Sequence, residues 1–200
     1  MTKPDFILAS GSAVRAQLLR TNGAAPLVVP ARVDEAALKD AMLSEQAAPR
    51  DIADALAEMK ARRVAMKHPE ALVLGADQVL VHNKTLIDKP TTLDEARAQL
   101  KTLRGSAHEL LSAAVIYEGA RPVWRHIGRA QLIMRDFSDS FLDAYIARHG
   151  NGLLATVGCY KLEEDGPTLF SRVQGDYFSV LGLPLLEVLQ FLRTRGVVAT

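Results

Sequence analysis

Short apolar runs bounded by small and turn-forming residues alternate with longer stretches whose apolar positions recur every three or four residues. That mixture predicts strands interleaved with helices. Phe6-Ile7-Leu8 and Leu27-Val28-Val29 read as short buried strands. Between them, Ala13 to Arg20 is compatible with a helix, and Thr21-Asn22-Gly23 supplies its stop. A weak helix is expected after Arg32-Val33-Asp34-Glu35, running to about Ser44. Pro49 to His68 reads as one long helix, with Ile52, Leu56, Met59 and Val64 at roughly helical spacing. Glu58, Lys60, Arg62, Arg63 and Lys67 fall on its polar face, where solvated side chains are the usual outcome.

Two apolar runs, Ala71 to Gly75 and Val79 to Val81, then flank Asp77 and read as strands on either side of it. Asn83-Lys84 is expected to turn the chain back as a hairpin, which Asp88-Lys89-Pro90 ends. Pro90 favours an extended Lys89 and so limits where its ammonium points. Thr92 and Glu95 form a capping box for a helix to Leu103, with Ala96, Leu100 and Leu103 on one face and Gly105 after it. Two long strands, His108 to Tyr117 and Val123 to Met134, are joined through Glu118-Gly119-Ala120-Arg121. Ser138 can cap a helix through Arg148, closed by His149-Gly150. Gly158 to Glu163 reads as a strand-like piece that puts Lys161 and Glu163 on one face. Pro184 is placed to begin a last helix that buries Leu185, Leu189 and Leu192. The pattern predicts an α/β fold, a mixed β-sheet with flanking helices, in a single domain of two lobes spanning residues 1–200.

Composition narrows the chemistry. The 200 residues are 48% hydrophobic, which excludes a disordered chain. With 24 basic and 23 acidic residues the formal net charge is +1, so no global field points to nucleic acid or to a membrane surface. Any anion site must be local. One cysteine, Cys159, excludes an internal disulfide and is expected to be a small packing residue. The N-terminal residues lack a signal-peptide pattern, and no segment approaches ~20 apolar residues, so a cytoplasmic protein is expected.

Candidate chemistry collects near the ends of elements. A strand, a loop of small residues (Ser10, Gly11, Ser12) and a helix start form an anion-binding arrangement of free N–H groups, with Arg15 on the first turn. A plain N-cap by Ser10 or Ser12 explains the loop as well. It is not a P-loop, because the Gly-Lys-Ser/Thr ending is absent. Arg15, Lys60 and Lys89 with the N–H donors suit a polyphosphate, and the carboxylates Glu35 and Asp77 suit a divalent cation, Mg²⁺ or Mn²⁺. Asp77 alone could be a solvated turn residue. Beside a phosphate chain it could instead accept a proton from attacking water. No zinc spacing, nucleophile elbow or Rossmann glycine motif offers a competing chemistry.

Leu8-Ala9-Ser10-Gly11-Ser12-x-x-Arg15-x-x-Leu18-Leu19 resembles the opening motif of the Maf family of nucleoside triphosphate pyrophosphatases. So do Asp34-Glu35, Glu58-x-Lys60-Ala61, Leu74-Gly75-Ala76-Asp77-Gln78-Val79, Lys89-Pro90 and Gly182-Leu183-Pro184, in order over nearly the whole chain. The resemblance implies an inosine-triphosphatase-like fold with a cleft between two lobes. It implies metal-dependent hydrolysis of nucleoside triphosphates to monophosphate and pyrophosphate. By motif, Asp77 would activate water, while Ser10, Gly11, Ser12, Arg15, Lys60 and Lys89 would hold the phosphates. Glu35, with Asp77, would hold metal. The partner implied is a nucleoside triphosphate, with a homodimer left open. Ala13 stands where the family motif usually has Pro. Val14, Gln78 and Glu163 stand at positions that differ between members. Members preferring dTTP and UTP carry Arg, Thr and Gln there. Members acting on 7-methyl-GTP resemble this chain more, with Asp-Gln and Lys-x-Glu as in Lys161-Leu162-Glu163, although they carry Trp at the Val14 position. The resemblance therefore leans to a modified guanine or a broader purine preference. Its alternatives are a dTTP/UTP pyrophosphatase and, from the septum inhibition tied to the family name, a nucleotide-binding regulator of cell division.

Overall fold

The computed structural model describes residues 5–199. In chain order these residues form β1 (Phe6–Leu8), α1 (Ala13–Thr21), β2 (Leu27–Val28), α2 (Glu35–Ser44), α3 (Pro49–Ala65), β3 (Leu72–His82) and β4 (Thr85–Ile87). There follow α4 (Leu93–Leu103), β5 (Ala107–Glu118), β6 (Arg121–Met134), α5 (Asp139–His149), β7 (Phe170–Gln174), α6 (Tyr177–Val180) and α7 (Leu185–Thr194). The fold is α/β, a seven-stranded mixed sheet with flanking helices, ordered β2-β1-β3-β5-β6-β7 with β4 also paired to β3. β1 runs parallel to β2 and β3, whereas β4 and β7 are antiparallel to β3 and β6. No helix among the described residues is long and apolar enough to cross a membrane.

By contacts the chain divides into two compact units. The first holds the described residues up to Gln78, Leu111–Gly128, and those from Tyr177 onward. Its core is Leu8, Leu19, Leu72, Leu74, Ile116, Leu185, Val188 and Leu192, drawn from β1, α1, β3, β5 and α7. Each fully buried leucine contributes roughly 2 kcal/mol of transfer free energy. α1 begins at Ser12, whose Oγ accepts from Arg15 N, and it ends at Asn22 with Gly23 at φ +83°. α7 begins after Pro184 and buries Leu185, Val188, Leu189 and Leu192.

The second unit holds Val79–Leu110 and Arg129–Asp176. Asn83 and Lys84, at φ 48° and 66°, make the expected tight hairpin between β3 and β4. Thr92 caps α4 as expected, and the Glu95 carboxylate also accepts from Thr91 N and Oγ1. α4 buries Ala96, Leu100 and Leu103. Cys159 is a packing residue: it is buried, its thiol donates to Gln99 Oε1 at 3.4 Å, and burial pushes its pKa up to about 12.

Three expectations are corrected. The long helix ends at Ala65, with Met66 as its C-cap, three residues before His68. Asp77 does not separate two strands: β3 passes through it unbroken from Leu72 to His82. Gly75 marks a close approach of another backbone, not a turn, which is the second meaning of glycine inside a strand. Gly158 to Glu163 is not strand-like either. Gly158 and Cys159 are both left-handed, at φ 77° and 60°, which breaks an extended run, and residues 162–165 form a turn.

His108 sits inside the second unit, 1% exposed, with Nε2 2.8 Å from the Tyr160 hydroxyl. Burial, aided by His82, lowers its pKa to about 4. The unfolded chain therefore takes up a proton near pH 6.5 that the folded chain refuses until about 4. This residue's contribution to stability is complete above pH 6.5 and is lost as the pH falls toward 4, by on the order of 3 kcal/mol. Urea unfolding across that range should show a flatter pH dependence for His108→Gln than for the natural chain. Parallel curves would contradict the assignment.

Candidate active site

The central feature of the first unit is a lysine between two carboxylates. Lys60 Nζ lies 2.5 Å from Asp77 Oδ1 and 3.0 Å from Glu35 Oε1. Lys60 and Asp77 are both buried, whereas Glu35 is exposed at the first position of α2. Asp34 caps that helix by accepting from Ala37 N, which fixes where Glu35 starts. Lys60 reaches Asp77 because α3 presses against β3. A Cβ on Gly75 would overlap the Ala57 carbonyl oxygen and stand 2.5 Å from Ala61 N. The turn of α3 that carries Lys60 thus lies directly over the strand that carries Asp77. The lysine expected on a solvated helix face is instead a buried partner of the carboxylate.

Arg15 is the second buried cation. Its Nε donates to Gly182 O at 2.7 Å, and Nη1 donates to Ala76 O at 2.9 Å and Ser10 Oγ at 3.2 Å. Burial lowers its pKa, opposed by the fields of Asp77 and Glu35. The guanidinium therefore fastens the strand beside Asp77 as well as supplying charge. Ser10 Oγ also accepts from Ser12 N at 3.2 Å, so Ser10 shapes the loop that Gly11, exposed, and Ser12, half-buried, complete. Val14 is half-buried on the first turn of α1. Gln78 is half-buried, and its side-chain amide donates to Ser112 Oγ, Ser179 O and Val180 O at 2.9, 3.0 and 3.1 Å.

The first unit thus brings together Ser10, Gly11, Ser12, Arg15, Glu35, Lys60, Asp77 and Gln78, and it also contains Val14. Lys89 and Glu163 belong to the second unit. Lys89 is exposed just beyond β4, before the buried Pro90. Glu163 is exposed in the turn after Tyr160. Lys161 does not share a strand face with it; Lys161 Nζ pairs with Glu164 at 2.8 Å. The turn is tied to α5 by Arg148–Asp165 at 2.7 Å.

Sequence reasoning missed two groups of supporting residues. Glu58 accepts from the Tyr117 hydroxyl at 2.6 Å and pairs with Arg125 at 3.0 Å, while Arg125 also pairs with Asp54. The Tyr117 hydrogen bond is the largest cause of the lowered Glu58 pKa, and burial raises that of Tyr117 to about 12. These contacts anchor α3 to β5 and β6. Glu58 two residues before Lys60 was the available signal. The other group, Ser112 and Ser179, carries no motif at all.

Chemically, this part of the first unit combines buried cations, a helix N-terminus and two carboxylates, a set that can hold an anion and take a proton from a bound molecule. A family model described as Maf-like protein matches residues 5–195. The chain is similar to a nucleoside triphosphate pyrophosphatase of Ruegeria pomeroyi, 57% identical over 202 residues and covering 100% of both chains. It is also similar to proteins of that name from Roseobacter denitrificans, 54% identical over 96% of each chain, and Caulobacter vibrioides, 52% identical over 98% of each. The chain belongs to the Maf family.

The ion pair has a stability consequence. Lys60→Met leaves the Asp77 carboxylate buried without its closest partner, which should cost roughly 3 kcal/mol at neutral pH. Urea unfolding at pH 7 measures the loss, and equal stability of variant and parent would refute the pairing.

Proposed function

We propose that this protein is a hydrolase that cleaves nucleoside triphosphates to the monophosphate and pyrophosphate. The observation that carries the reading is the Asp77–Lys60–Glu35 arrangement within one compact unit, at 2.5 and 3.0 Å. The names of the relatives point the same way. Lys60 has three N–H donors, and two face carboxylates, so the third suits a phosphate oxygen. Arg15 places positive charge beside them while its Nε and Nη1 stay on the protein. The positive end of the α1 dipole, at its N-terminus, favours the same anion. Asp77 Oδ1 is held by Lys60, which leaves Oδ2 as the atom that takes the proton from water. Water adds to phosphorus, the bridging P–O bond breaks, and monophosphate and pyrophosphate separate.

The residues fit a divalent cation of the Mg²⁺ or Mn²⁺ kind. Glu35 and Asp77 offer hard oxygen ligands, and no cluster of three His, Cys, Asp or Glu able to hold a metal occurs among the described residues. A cation held by one or two carboxylates plus substrate phosphates is the usual arrangement for Mg²⁺. Once bound, such an ion neutralises charge on the phosphates. For the base, the reading favours a modified guanine such as that of 7-methyl-GTP, and a role in clearing such nucleotides from the pool. What supports it is the sequence: Asp77-Gln78 and Lys161-x-Glu163 resemble the members acting on 7-methyl-GTP.

Asp77→Asn should lower pyrophosphate release at least ~100-fold while nucleotide binding persists. Undiminished release would remove Asp77 from the mechanism. A release assay over 7-methyl-GTP, GTP, UTP and dTTP with Mg²⁺ or Mn²⁺ should show 7-methyl-GTP turned over best. Clear preference for UTP or dTTP would reverse the base assignment.

A further inference from the structure

The three hydrogen bonds of Gln78 define a polar clamp. Its Nε2 carries two hydrogens and faces three oxygens, Ser112 Oγ, Ser179 O and Val180 O. Two of these are carbonyls, which only accept, so the amide has one possible orientation. Ser112, fully buried on β5, donates its own hydrogen to Ser179 O at 2.7 Å, which turns a lone pair toward Gln78. The segment gripped this way is α6 and the turn after it. Gly182 N returns to Ser179 O at 3.1 Å, and Leu183 N to Phe178 O at 3.1 Å. Gly182 stands at φ +93°, and its carbonyl receives Arg15 Nε. Arg15 Nη1 then bonds Ala76 O. Gly128 on β6 leaves the room needed, because a Cβ there would overlap Ser179 Oγ.

The bonds close a ring. From Ala76 the chain passes through Asp77 to Gln78, crosses to Ser179 and Val180, continues to Gly182, and returns through Arg15 to Ala76. Asp77 is thus held on both sides, once through the carbonyl before it and once through the side chain after it. We propose that Gln78 and Ser112 are positioning residues that lock residues 177–183 onto β3 and thereby fix the Asp77 carboxylate. Any influence of Gln78 on nucleotide choice is then exerted through this turn. The proposal rests on the reading of Asp77 as the proton acceptor.

The test combines Gln78→Ala, Ser112→Ala and the double variant in the full-length protein. Pyrophosphate release is measured over the same nucleotides, and hydrogen–deuterium exchange is followed at residues 177–183. Each single change should lower kcat by about tenfold with KM nearly unchanged, and the double should be no slower than either single. The order of nucleotide preference should be the same in Gln78→Ala as in Ser112→Ala, and exchange of residues 177–183 should rise in both singles. The clamp is overturned if the two losses multiply, if Gln78→Ala reorders the nucleotides while Ser112→Ala does not, or if exchange is unchanged. A natural chain that releases no pyrophosphate from any nucleotide would sink the hydrolytic reading instead, and the exchange measurement would still decide the clamp.

Discussion

The contact between α3 and β3 at Gly75 governs this structure. Two backbones meet there with no space for a single methyl group, since Ala57 O and Ala61 N already occupy the position of a Cβ. Close packing of this kind transmits small displacements instead of absorbing them. It sets the height of Lys60 above the strand and so the distance of its ammonium from Asp77. Burial makes that distance matter: an unpartnered carboxylate in the interior is costly, and an ammonium without a counter-charge equally so. The small residues Ala57, Ala61 and Gly75 are the sequence's means of bringing these charges together.

The surroundings of Asp77 are stiff for separate reasons that reinforce one another. Arg15 ties α1 to the strand and to the Gly182 turn. Glu58, Tyr117, Arg125 and Asp54 keep α3 from sliding over β5 and β6. A carboxylate that must meet a water molecule in one direction benefits from such a frame, because orientation is a large part of what a site contributes to rate. Hydrogen bonds that look like plain structure are in this sense part of the chemistry proposed here.

Much of this was legible in the chain. The strand–loop–helix opening, the Asn83-Lys84 hairpin, the Thr92 cap and the last helix after Pro184 follow from local chemistry that tertiary contacts did not override. The ordered motifs pointed to Asp77, Lys60 and Arg15. Other features depended on what lies across the fold. Gly75 reads as a strand end unless the helix above it is known. Lys60 reads as a surface lysine because helical spacing reports a face and not what covers it. Gln78 reads as a residue that could face a base, and only the turn at Ser179 and Val180 shows its amide engaged. Gly158 to Glu163 alternates like a strand, yet two left-handed residues bend it away.

The most direct measurement compares Gly75→Ala with Gly152→Ala, a glycine with no left-handed backbone and with nothing within 4 Å of the place a Cβ would take. Pyrophosphate release is followed in the folded fraction of each, and a crystal structure of Gly75→Ala gives the Lys60–Asp77 distance. Gly152→Ala should behave as the natural chain. Gly75→Ala should lift α3, lengthen the 2.5 Å contact and lose roughly 100-fold in turnover. A folded Gly75→Ala protein with undiminished turnover would contradict the dependence of the site on this contact.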